Sequence, residues 1–488
     1  MLRNVFSGRA GGGGSGSGSS SGPAPYLGQV ATRCMLPNNH LTGAGRWQGT
    51  TSPHYFRSAV RSGLKVVLPN LRVGSGQNEQ SFGPTDFKMS FRRLRDGAVV
   101  SNAEGGFVTA AAGGAAVLSF PTITDIRKGD LLLANVLQRS DSAVCFRQHQ
   151  SNYVASPYDG WESGTGTIVD KIDAGTAYNA NVITYTPFLI LTDTTEPSAL
   201  LFGTSLEEGG TEGITDGSYD VGFIARTLGS HHGYSSLATS GSLLAQYLSA
   251  TRTFSDQVAR GLVPGVATGV PYHSRGINMH GTNDIGGGGD SAATLAGRRA
   301  ALAARYPDLP MIGCTLPCYN QSSDLWTSTA GQADGTNNPK VLDFNDLVRA
   351  GIAGEIGCWD VADAIDPLRL GRWPVDRDPA AASYRNIVTG LTGSSSGNTV
   401  TITAGGFGSL KKGDTIVGTG FEPGTVITAL GTYNGTTGTV TVNKAKTVAS
   451  TTIRTGGFAT NDGLHQTSAI SELVRARRGG ELLALMRP

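Results

Sequence analysis

The stretch ALLFGTSL, residues 199–206, decides how the second half of this 488-residue chain folds. Four apolar residues are followed at once by Gly203, Thr204 and Ser205, so a short buried strand ends directly in a polar turn. After it, strand-like and helix-like segments alternate, with expected strands at 276–279, 311–316 and 356–361 and expected helices at 219–228, 290–306, 341–353 and 467–478. Such alternation indicates a parallel sheet that is covered by helices on both faces.

The residues before this stretch have a different pattern of apolar and polar residues. Short β-like runs, several of them alternating apolar with polar residues, fill positions 26–195 and are separated by Gly, Pro, Asn and Asp. A period of two is typical of half-buried strands. We therefore predict a jelly-roll-like β-sandwich over 26–195, with carbohydrate binding as its expected role, and an α/β domain over 196–386 and 456–488.

Two further segments differ from both of these domains. Residues 1–25 are dominated by Gly and Ser, a composition that cannot bury enough apolar surface to fold, and we predict a tether or anchor there. Residues 387–455 consist mostly of Thr, Val, Ile, Gly and Ser and contain the alternating runs TVTIT at 399–403, GTVIT at 424–428 and GTVTV at 438–442. We predict a small β-domain inserted into the α/β domain, of a composition that resembles modules of phage tail and spike proteins.

Composition excludes several classes of protein. Gly at 70 of 488 residues and charged residues at 16% disfavour coiled coils and helical bundles. A net charge of +2, from 39 basic and 37 acidic residues, predicts no general affinity for nucleic acid. We also expect no membrane span and no signal peptide. Five cysteines, an odd number, predict neither a disulfide framework nor a metal site.

Four short motifs occur in a fixed order at the expected ends of strands. They are FGTSL at 202–206, LATSG at 237–241, HGTND at 280–284 and DGLH at 462–465. The carboxyl ends of parallel strands meet at one edge of the sheet, where open α/β sheets bind their ligands. We therefore expect these four motifs, which we call the strand-end motifs, to lie together.

The strand-end motifs supply the parts that acyl transfer needs. A serine hydroxyl such as that of Ser205 becomes nucleophilic when a base takes its proton, which His465 can do, and Asp462 can hold the other ring nitrogen. The oxyanion of a tetrahedral intermediate needs fixed donors. The backbone N–H groups of Ser205 and Gly241 and the side-chain amide of Asn283 are the candidate donors.

Together the strand-end motifs resemble those of the SGNH (GDSL-type) hydrolase family. The resemblance covers 196–386 and 456–488 and extends to IGCTLP at 312–317 and FNDLVR at 344–349. It implies a three-layer α/β/α fold with a flavodoxin-like parallel sheet. It also implies that Ser205, Asp462 and His465 form the triad and that Gly241 and Asn283 are oxyanion donors. Thr204 stands where the family usually has aspartate.

Two further residues are candidates for substrate binding. His280 adjoins the third strand-end motif and is expected either to line the substrate pocket or to pack in the core. Trp161 is expected either to stack on a sugar ring or to pack in the core. We interpret His231–His232 as solvent-facing, and Asp284 and Asp290 as flanking a glycine loop without the spacing of a calcium site.

The function expected from these observations is that of a serine esterase that removes O-acyl groups, chiefly O-acetyl, from a polysaccharide such as a bacterial surface glycan, without a cofactor. The alternative is a structural or receptor-binding spike or tail protein of a virion with little or no catalysis, joined to other virion proteins through residues 1–25. That alternative expects synthesis in the cytoplasm and action at a host cell surface as part of a phage-like particle. Either reading expects a homo-oligomer.

Overall fold

The computed structural model describes most of the chain. The described residues are 24–148, 156–181, 183–209, 212, 220–323, 326, 329–374, 388–403, 406–410, 412, 414–422, 425–456, 459–460 and 462–487. The tether predicted over 1–25 lies almost wholly outside them. Of the helix predicted at 219–228, residue 219 also lies outside them, while 220–222 are not helical and the helix begins only at Phe223, after Gly222 with its φ of +84°.

The N-terminal region of the described chain is built from β-strands. They are β1 (Tyr26–Gln29), β2 (Cys34–Met35), β3 (Asn39–Thr42), β4 (Arg46–Tyr55), β5 (Leu64–Pro69), β6 (Leu71–Val73), β7 (Glu79–Ser81), β8 (Thr85–Arg93), β9 (Val99–Ser101), β10 (Val108–Ala110), β11 (Ala115–Phe120), β12 (Leu131–Ser140), β13 (Ala143–Gln148), β14 (Gly160–Thr165), β15 (Ile183–Thr184) and β16 (Leu189–Thr194).

Two antiparallel sheets of this N-terminal region face each other across one core. The first has the order β1-β16-β5-β11 and the second the order β10-β8-β12-β4-β14, with β9 beside β8. Phe91 of β8 lies against Phe120 of β11, with ring centroids 5.1 Å apart. Burying apolar side chains between two sheets is the architecture of a β-sandwich. Its jelly-roll subtype stays a prediction.

The second region alternates strands with helices. Its elements are β17 (Ser198–Phe202), α1 (Ser205–Glu208), α2 (Phe223–Leu228), β18 (Gly233–Ser236), α3 (Leu244–Leu248), α4 (Thr253–Arg260), β19 (Arg275–Asn278), α5 (Thr282–Gly286), α6 (Ala292–Arg305), β20 (Met311–Cys314), β21 (Asn320–Ser322), β22 (Gln332–Asp334), α7 (Asn338–Ala350), β23 (Glu355–Trp359) and α8 (Val361–Ile365).

A six-stranded parallel sheet forms the centre of this region, in the order β2-β18-β17-β19-β20-β23. Without β2, the strands that belong to the region lie in the order 2-1-3-4-5, which is that of flavodoxin-like sheets. The strand order reverses between β17 and β19, and ligands of such sheets bind beyond the carboxyl ends at this point. Every residue of β17 is buried, as its apolar sequence predicts.

The edge strand β2 comes from the N-terminal region, which sequence reasoning treats as a separate domain. Cys34 and Met35 pair in parallel with Ser235 and Ser236 of β18. A two-residue strand has no measurable periodicity, so sequence reasoning could not detect it. The N-terminal region and the parallel sheet therefore share backbone hydrogen bonds.

A closed barrel follows, made of β24 (Val388–Ser396), β25 (Thr399–Ile402), β26 (Thr415–Gly418), β27 (Thr425–Tyr433), β28 (Gly438–Val442) and β29 (Val448–Gly456). Its interior holds the apolar members of the alternating runs, such as Val400, Ile402, Ile427 and Val440. The first and last strands pair, with Val388 opposite Thr455. The chain therefore leaves and re-enters the α/β region at neighbouring points. Helix α9 (Ser468–Leu485) then packs beside α2 and α8.

The shared sheet edge predicts that residues 196–488 do not fold alone. Without the N-terminal region, the buried strand β18 loses its partner β2, and α4 loses the Glu79 carboxylate that accepts the amides of Phe254 and Ser255 at 2.8 Å each. We expect the fragment to lack a near-ultraviolet circular dichroism spectrum and a cooperative thermal transition. A chain in which a short Gly-Ser linker replaces 388–456 serves as the comparison and should keep both. A cooperatively folded 196–488 fragment would contradict this assignment.

Candidate active site

Ser205 stands at the carboxyl end of the central strand β17. The chain leaves the strand at Phe202, turns through Gly203 and Thr204, and enters α1 with Ser205 as its first helical residue. A Cβ atom on Gly203 would lie 2.7 Å from Cγ of Glu207, so the turn has no room for a side chain. Ser205 is 9% exposed, more than the other three residues of α1.

His465 meets Ser205 across 260 positions of sequence. Its Nε2 lies 2.7 Å from Oγ of Ser205, within ordinary hydrogen-bond distance. The side chain of His465 is 21% exposed. The first and last strand-end motifs are thus in direct contact, as the sequence predicts.

Asp462 holds the other side of the His465 ring. Its Oδ2 lies 2.7 Å from Nδ1 of His465, while its Oδ1 accepts the backbone amides of Leu464 at 2.9 Å and His465 at 2.8 Å. The tight turn between them requires glycine at 463. Gly463 has φ of +81°, and a Cβ atom there would lie 1.8 Å from the carbonyl oxygen of Asn320.

The charge of Asp462 fixes the tautomer of His465. Burial alone would raise the pKa of Asp462, but hydrogen bonds from the His465 ring and from the two backbone amides bring that pKa below its ordinary value. An ionised carboxylate only accepts hydrogen bonds, so the imidazole proton resides on Nδ1. Nε2 is then free to accept the Ser205 proton. The arrangement can generate a serine nucleophile.

The second and third strand-end motifs join the same edge through Ser242. The hydroxyl of Ser242 donates to the carbonyl of Gly203 at 2.9 Å, and the side-chain amide of Asn283 donates to the carbonyl of Ser242 at 3.2 Å. Gly241 precedes Ser242 with φ of +69°. The first amides of a helix have no partner within it, which applies to the N–H of Ser205 at the start of α1. Ser242, which follows Gly241, therefore links the turn before Ser205 with the side chain of Asn283.

His280 and Trp161 occupy different environments. His280 is fully buried below the loop of Gly241, with Nε2 3.3 Å from Oγ of Ser242 and its ring 4.8 Å from that of Tyr247. Burial lowers the pKa of His280 to about 3, so it is neutral. Trp161 is half-buried on β14 of the N-terminal sandwich. For both residues, contact with substrate stays a prediction.

Asp284 and Asp290 are engaged by protein groups. Asp284 accepts the backbone amide of Leu244 at 2.8 Å, and burial raises its pKa to about 6. Asp290 pairs with Arg298 at 2.6 Å. His231 is exposed at the surface, as expected, whereas His232 is half-buried.

All five cysteines carry free thiols, and four of them are buried. No group of three His, Cys, Asp or Glu side chains that could hold a metal ion occurs in the part of the chain that the structure describes. Nor does any helix among those residues have the length and apolarity to cross a membrane.

Gln466 is a functional candidate that sequence reasoning missed. Its amide nitrogen donates to the carbonyl of Leu206 at 2.6 Å and to Oε1 of Glu212 at 3.0 Å. Leu206 follows Ser205 and Gln466 follows His465, so one buried side chain ties the residue after the proposed nucleophile to the residue after the proposed base. Glu212 is held in turn by Arg226, whose Nε lies 2.6 Å from Oε2 of Glu212.

Comparison with known proteins adds structural similarity alone. No protein-family model matches the chain, and no curated protein does. Among solved structures, the chain is similar to a family two carbohydrate esterase from Cellvibrio japonicus (11% identity, 70% of this chain and 87% of that one, TM-score 0.23). It is also similar to one from Clostridium thermocellum in complex with cellohexaose (13%, 67% and 83%, 0.24) and to the carbohydrate acetylesterase Est24 from Sinorhizobium meliloti (18%, 34% and 85%, 0.24).

The Gln466 contacts predict a loss of catalysis without a loss of fold. Replacement of Gln466 by the similarly sized leucine leaves the Leu206 carbonyl without this donor and lets His465 drift from Ser205. A displacement of that kind costs up to about 100-fold in rate. We expect kcat for p-nitrophenyl acetate to fall by 10- to 100-fold, on the order set by such displacements, with KM little changed.

The matched control is Gln138→Leu, a buried glutamine of β12 whose amide donates to the Cys145 carbonyl at 2.9 Å, outside the strand-end motifs. It should leave kcat unchanged. Equal kcat in wild type and Gln466→Leu would contradict the positioning role.

Glu207 predicts a specific pH dependence of stability. This fully buried side chain accepts the Ile224 amide at 3.0 Å, and burial raises its pKa to about 8. An unfolded chain releases that proton near pH 4.3, so between these two pKa values the folded state holds a proton that the unfolded state lacks. The free energy of unfolding then falls as pH rises, by up to about 1.4 kcal/mol per pH unit.

Glu207→Gln removes this contribution. Urea unfolding across about pH 4 to 8 should show the variant gaining stability over wild type as pH rises through this interval. A stability difference that is constant with pH would show that Glu207 is not protonated in the folded protein.

Proposed function

We propose that this protein is a serine esterase that removes O-acyl groups, chiefly O-acetyl, from a polysaccharide. The observation that carries the proposal is the continuous hydrogen-bonded series from Ser205 Oγ through His465 to Asp462, with both heavy-atom distances at 2.7 Å. A serine, a histidine and an ionised carboxylate in this order are the requirements of nucleophilic acyl transfer.

In the first half-reaction, Oγ of Ser205 attacks the carbonyl carbon of the ester while Nε2 of His465 takes the hydroxyl proton. Asp462 stabilises the resulting imidazolium. The bond between the acyl carbon and the sugar oxygen then breaks, and His465 returns the proton to that oxygen. The sugar leaves as an alcohol, and Ser205 carries the acyl group.

Water completes the cycle by the same path. His465 takes a proton from water as the water oxygen attacks the acyl carbon, and the proton then returns to Oγ of Ser205 as the acyl–serine bond breaks. The carboxylic acid is released, acetic acid in the case of an acetyl group. No redox equivalent is consumed.

The oxyanion in each half-reaction is assigned to the N–H groups of Ser205 and Gly241 and to Asn283. An amide side chain has two N–H donors, and Asn283 uses one on the Ser242 carbonyl, which leaves the other for the oxyanion. Loss of one such donor costs about 3–4 kcal/mol of barrier stabilisation.

Esters are a better substrate class than amides because an alcohol leaves more readily than an amine. A polysaccharide is favoured by the two β-rich regions of the chain, the N-terminal sandwich and the inserted barrel. The barrel also carries Tyr433, which is 45% exposed and stacks on Phe407 with ring planes 8° apart, leaving an ordered aromatic surface of the kind that contacts sugar rings.

The test is the release of acetate from acetylated polysaccharides and from p-nitrophenyl acetate. We expect Ser205→Ala to abolish release, with kcat reduced at least about 1,000-fold as for other serine triads. The matched control is Ser52→Ala: Ser52 also lies hydrogen-bonded to a histidine, His54, at 2.9 Å, but in the N-terminal sandwich. It should keep wild-type kcat. Equal rates for wild type and Ser205→Ala would refute the proposed esterase activity. Activity on p-nitrophenyl acetate but on none of the acetylated polysaccharides would refute the proposed substrate class.

A further inference from the structure

We infer that the β6–β7 hairpin of the N-terminal region orients the Gly241 amide, and so completes the oxyanion site from outside the α/β fold. The inference rests on the proposed function, because it takes Gly241 as an oxyanion donor. The hairpin tip comprises residues 74–78 between β6 and β7, and Gly76 lies at its centre.

One backbone hydrogen bond links the tip to the proposed donor. The N–H of Gly76 donates to the carbonyl of Ser240 at 2.9 Å. That carbonyl belongs to the same peptide unit as the Gly241 N–H. A trans peptide is planar and holds its C=O and N–H on opposite sides. Because the Ser240 carbonyl is fixed towards the hairpin, the Gly241 N–H points away from the hairpin.

The hairpin tip is itself held by side chains of the α/β region. The amide nitrogen of Gln246 donates to the Gly76 carbonyl at 2.7 Å, and Arg252 donates to the Gln77 carbonyl at 2.8 Å. Glu79, at the start of β7, binds the first turn of α4. The donor on Gly76 is therefore fixed relative to α3 and α4.

The peptide on the other side of Ser240 is fixed as well. The N–H of Ser240 donates to Oε2 of Glu208 at 2.6 Å, and Glu208 lies on α1, the helix that Ser205 begins. Oε1 of Glu208 binds Asn38 at 2.8 Å and Arg147 at 3.1 Å, both from the N-terminal region. The Glu208 and Arg147 side chains are each 1% exposed. A buried ion pair thus joins the nucleophile helix, the Gly241 loop and the N-terminal region.

Close packing leaves little freedom for the Gly241 loop. With φ of +69°, Gly241 has a conformation that favours glycine, and a Cβ atom on it would lie 2.8 Å from Oγ of Ser75 and 3.0 Å from the Gly76 nitrogen. The Ser240–Gly241 peptide is therefore held by the hairpin tip and by its own turn, and the peptide before it is held by Glu208. The N-terminal region acts here as a positioning element and not only as an attached module.

The test shortens the hairpin in the full-length protein. Replacement of residues 74–78 by Asn-Gly, a two-residue turn suited to paired strands, keeps β6 and β7 but removes the Gly76 donor. We expect kcat for p-nitrophenyl acetate to fall about 100-fold with KM changed less than about threefold, the signature of lost transition-state stabilisation. A crystal structure of the variant should show the Ser240–Gly241 peptide in a different orientation.

Two further variants separate the possible causes. Gln77→Ala combined with Asn78→Ala changes the tip side chains but keeps the Gly76 N–H, and it should retain wild-type kcat. Gln246→Glu keeps an acceptor oxygen for the Leu243 amide and for Arg252 but removes the donor to the Gly76 carbonyl, and it should lower kcat by about 10-fold, a fraction of the loss of a full donor. If the variant with the shortened hairpin does not fold, Gln246→Glu alone tests whether the hairpin orients the Gly241 amide.

Each outcome has a distinct meaning. Wild-type kcat in the shortened or the Gln246→Glu variant, or an unmoved Ser240–Gly241 peptide in the crystal, would overturn the inference. Loss of kcat in the Gln77→Ala, Asn78→Ala variant would assign the effect to substrate contact at the tip instead. If wild type and Ser205→Ala show equal rates, the esterase proposal fails, and the crystallographic orientation of the peptide alone decides whether the hairpin sets it.

Discussion

The hydrogen bond between Ser205 and His465 is the contact around which the candidate site is built. It joins residues that are 260 positions apart in the sequence, so the chain between them must return to the carboxyl edge of the sheet at which Ser205 lies. The barrel can lie within this interval because its first and last strands pair with each other. Gln466 then fixes the approach of the two loops by binding the carbonyl of Leu206. The pairing of the first and last barrel strands and the bond from Gln466 to Leu206 thus bring together two parts of the chain that are far apart in sequence.

The N-terminal region has a closer relation to the site than its separate core suggests. It gives β2 to the parallel sheet, and through Arg147 and the tip at Gly76 it holds the loop of Gly241. The region has its own apolar core between two sheets, as an independent domain would. Its polar contacts with α1 and with Ser240 nevertheless make it part of the frame around the candidate site.

The sequence carried enough information to predict the α/β architecture and the meeting of Ser205, Asp462 and His465. Parallel strands bring their carboxyl ends to one edge, so motifs at those ends can be placed together without knowing any side-chain contact. The contacts made by Gln466, Glu208 and Gly76 could not be predicted, because each depends on a tertiary contact with no periodic signal in the sequence. The burial of His280 could not be predicted either, because the sequence around a histidine is the same whether its side chain faces a pocket or the core.

Activation of Ser205 by His465 can be measured by labelling with a fluorophosphonate followed by peptide mass spectrometry, because this reagent bonds covalently to a serine that a neighbouring base activates. We expect stoichiometric modification of Ser205 in the wild-type protein and strong suppression in His465→Ala, with Ser52 unmodified in both. Absence of label on Ser205, or equal labelling in His465→Ala, would contradict the proposed triad, since it would show that the 2.7 Å contact between Ser205 and His465 does not activate the hydroxyl.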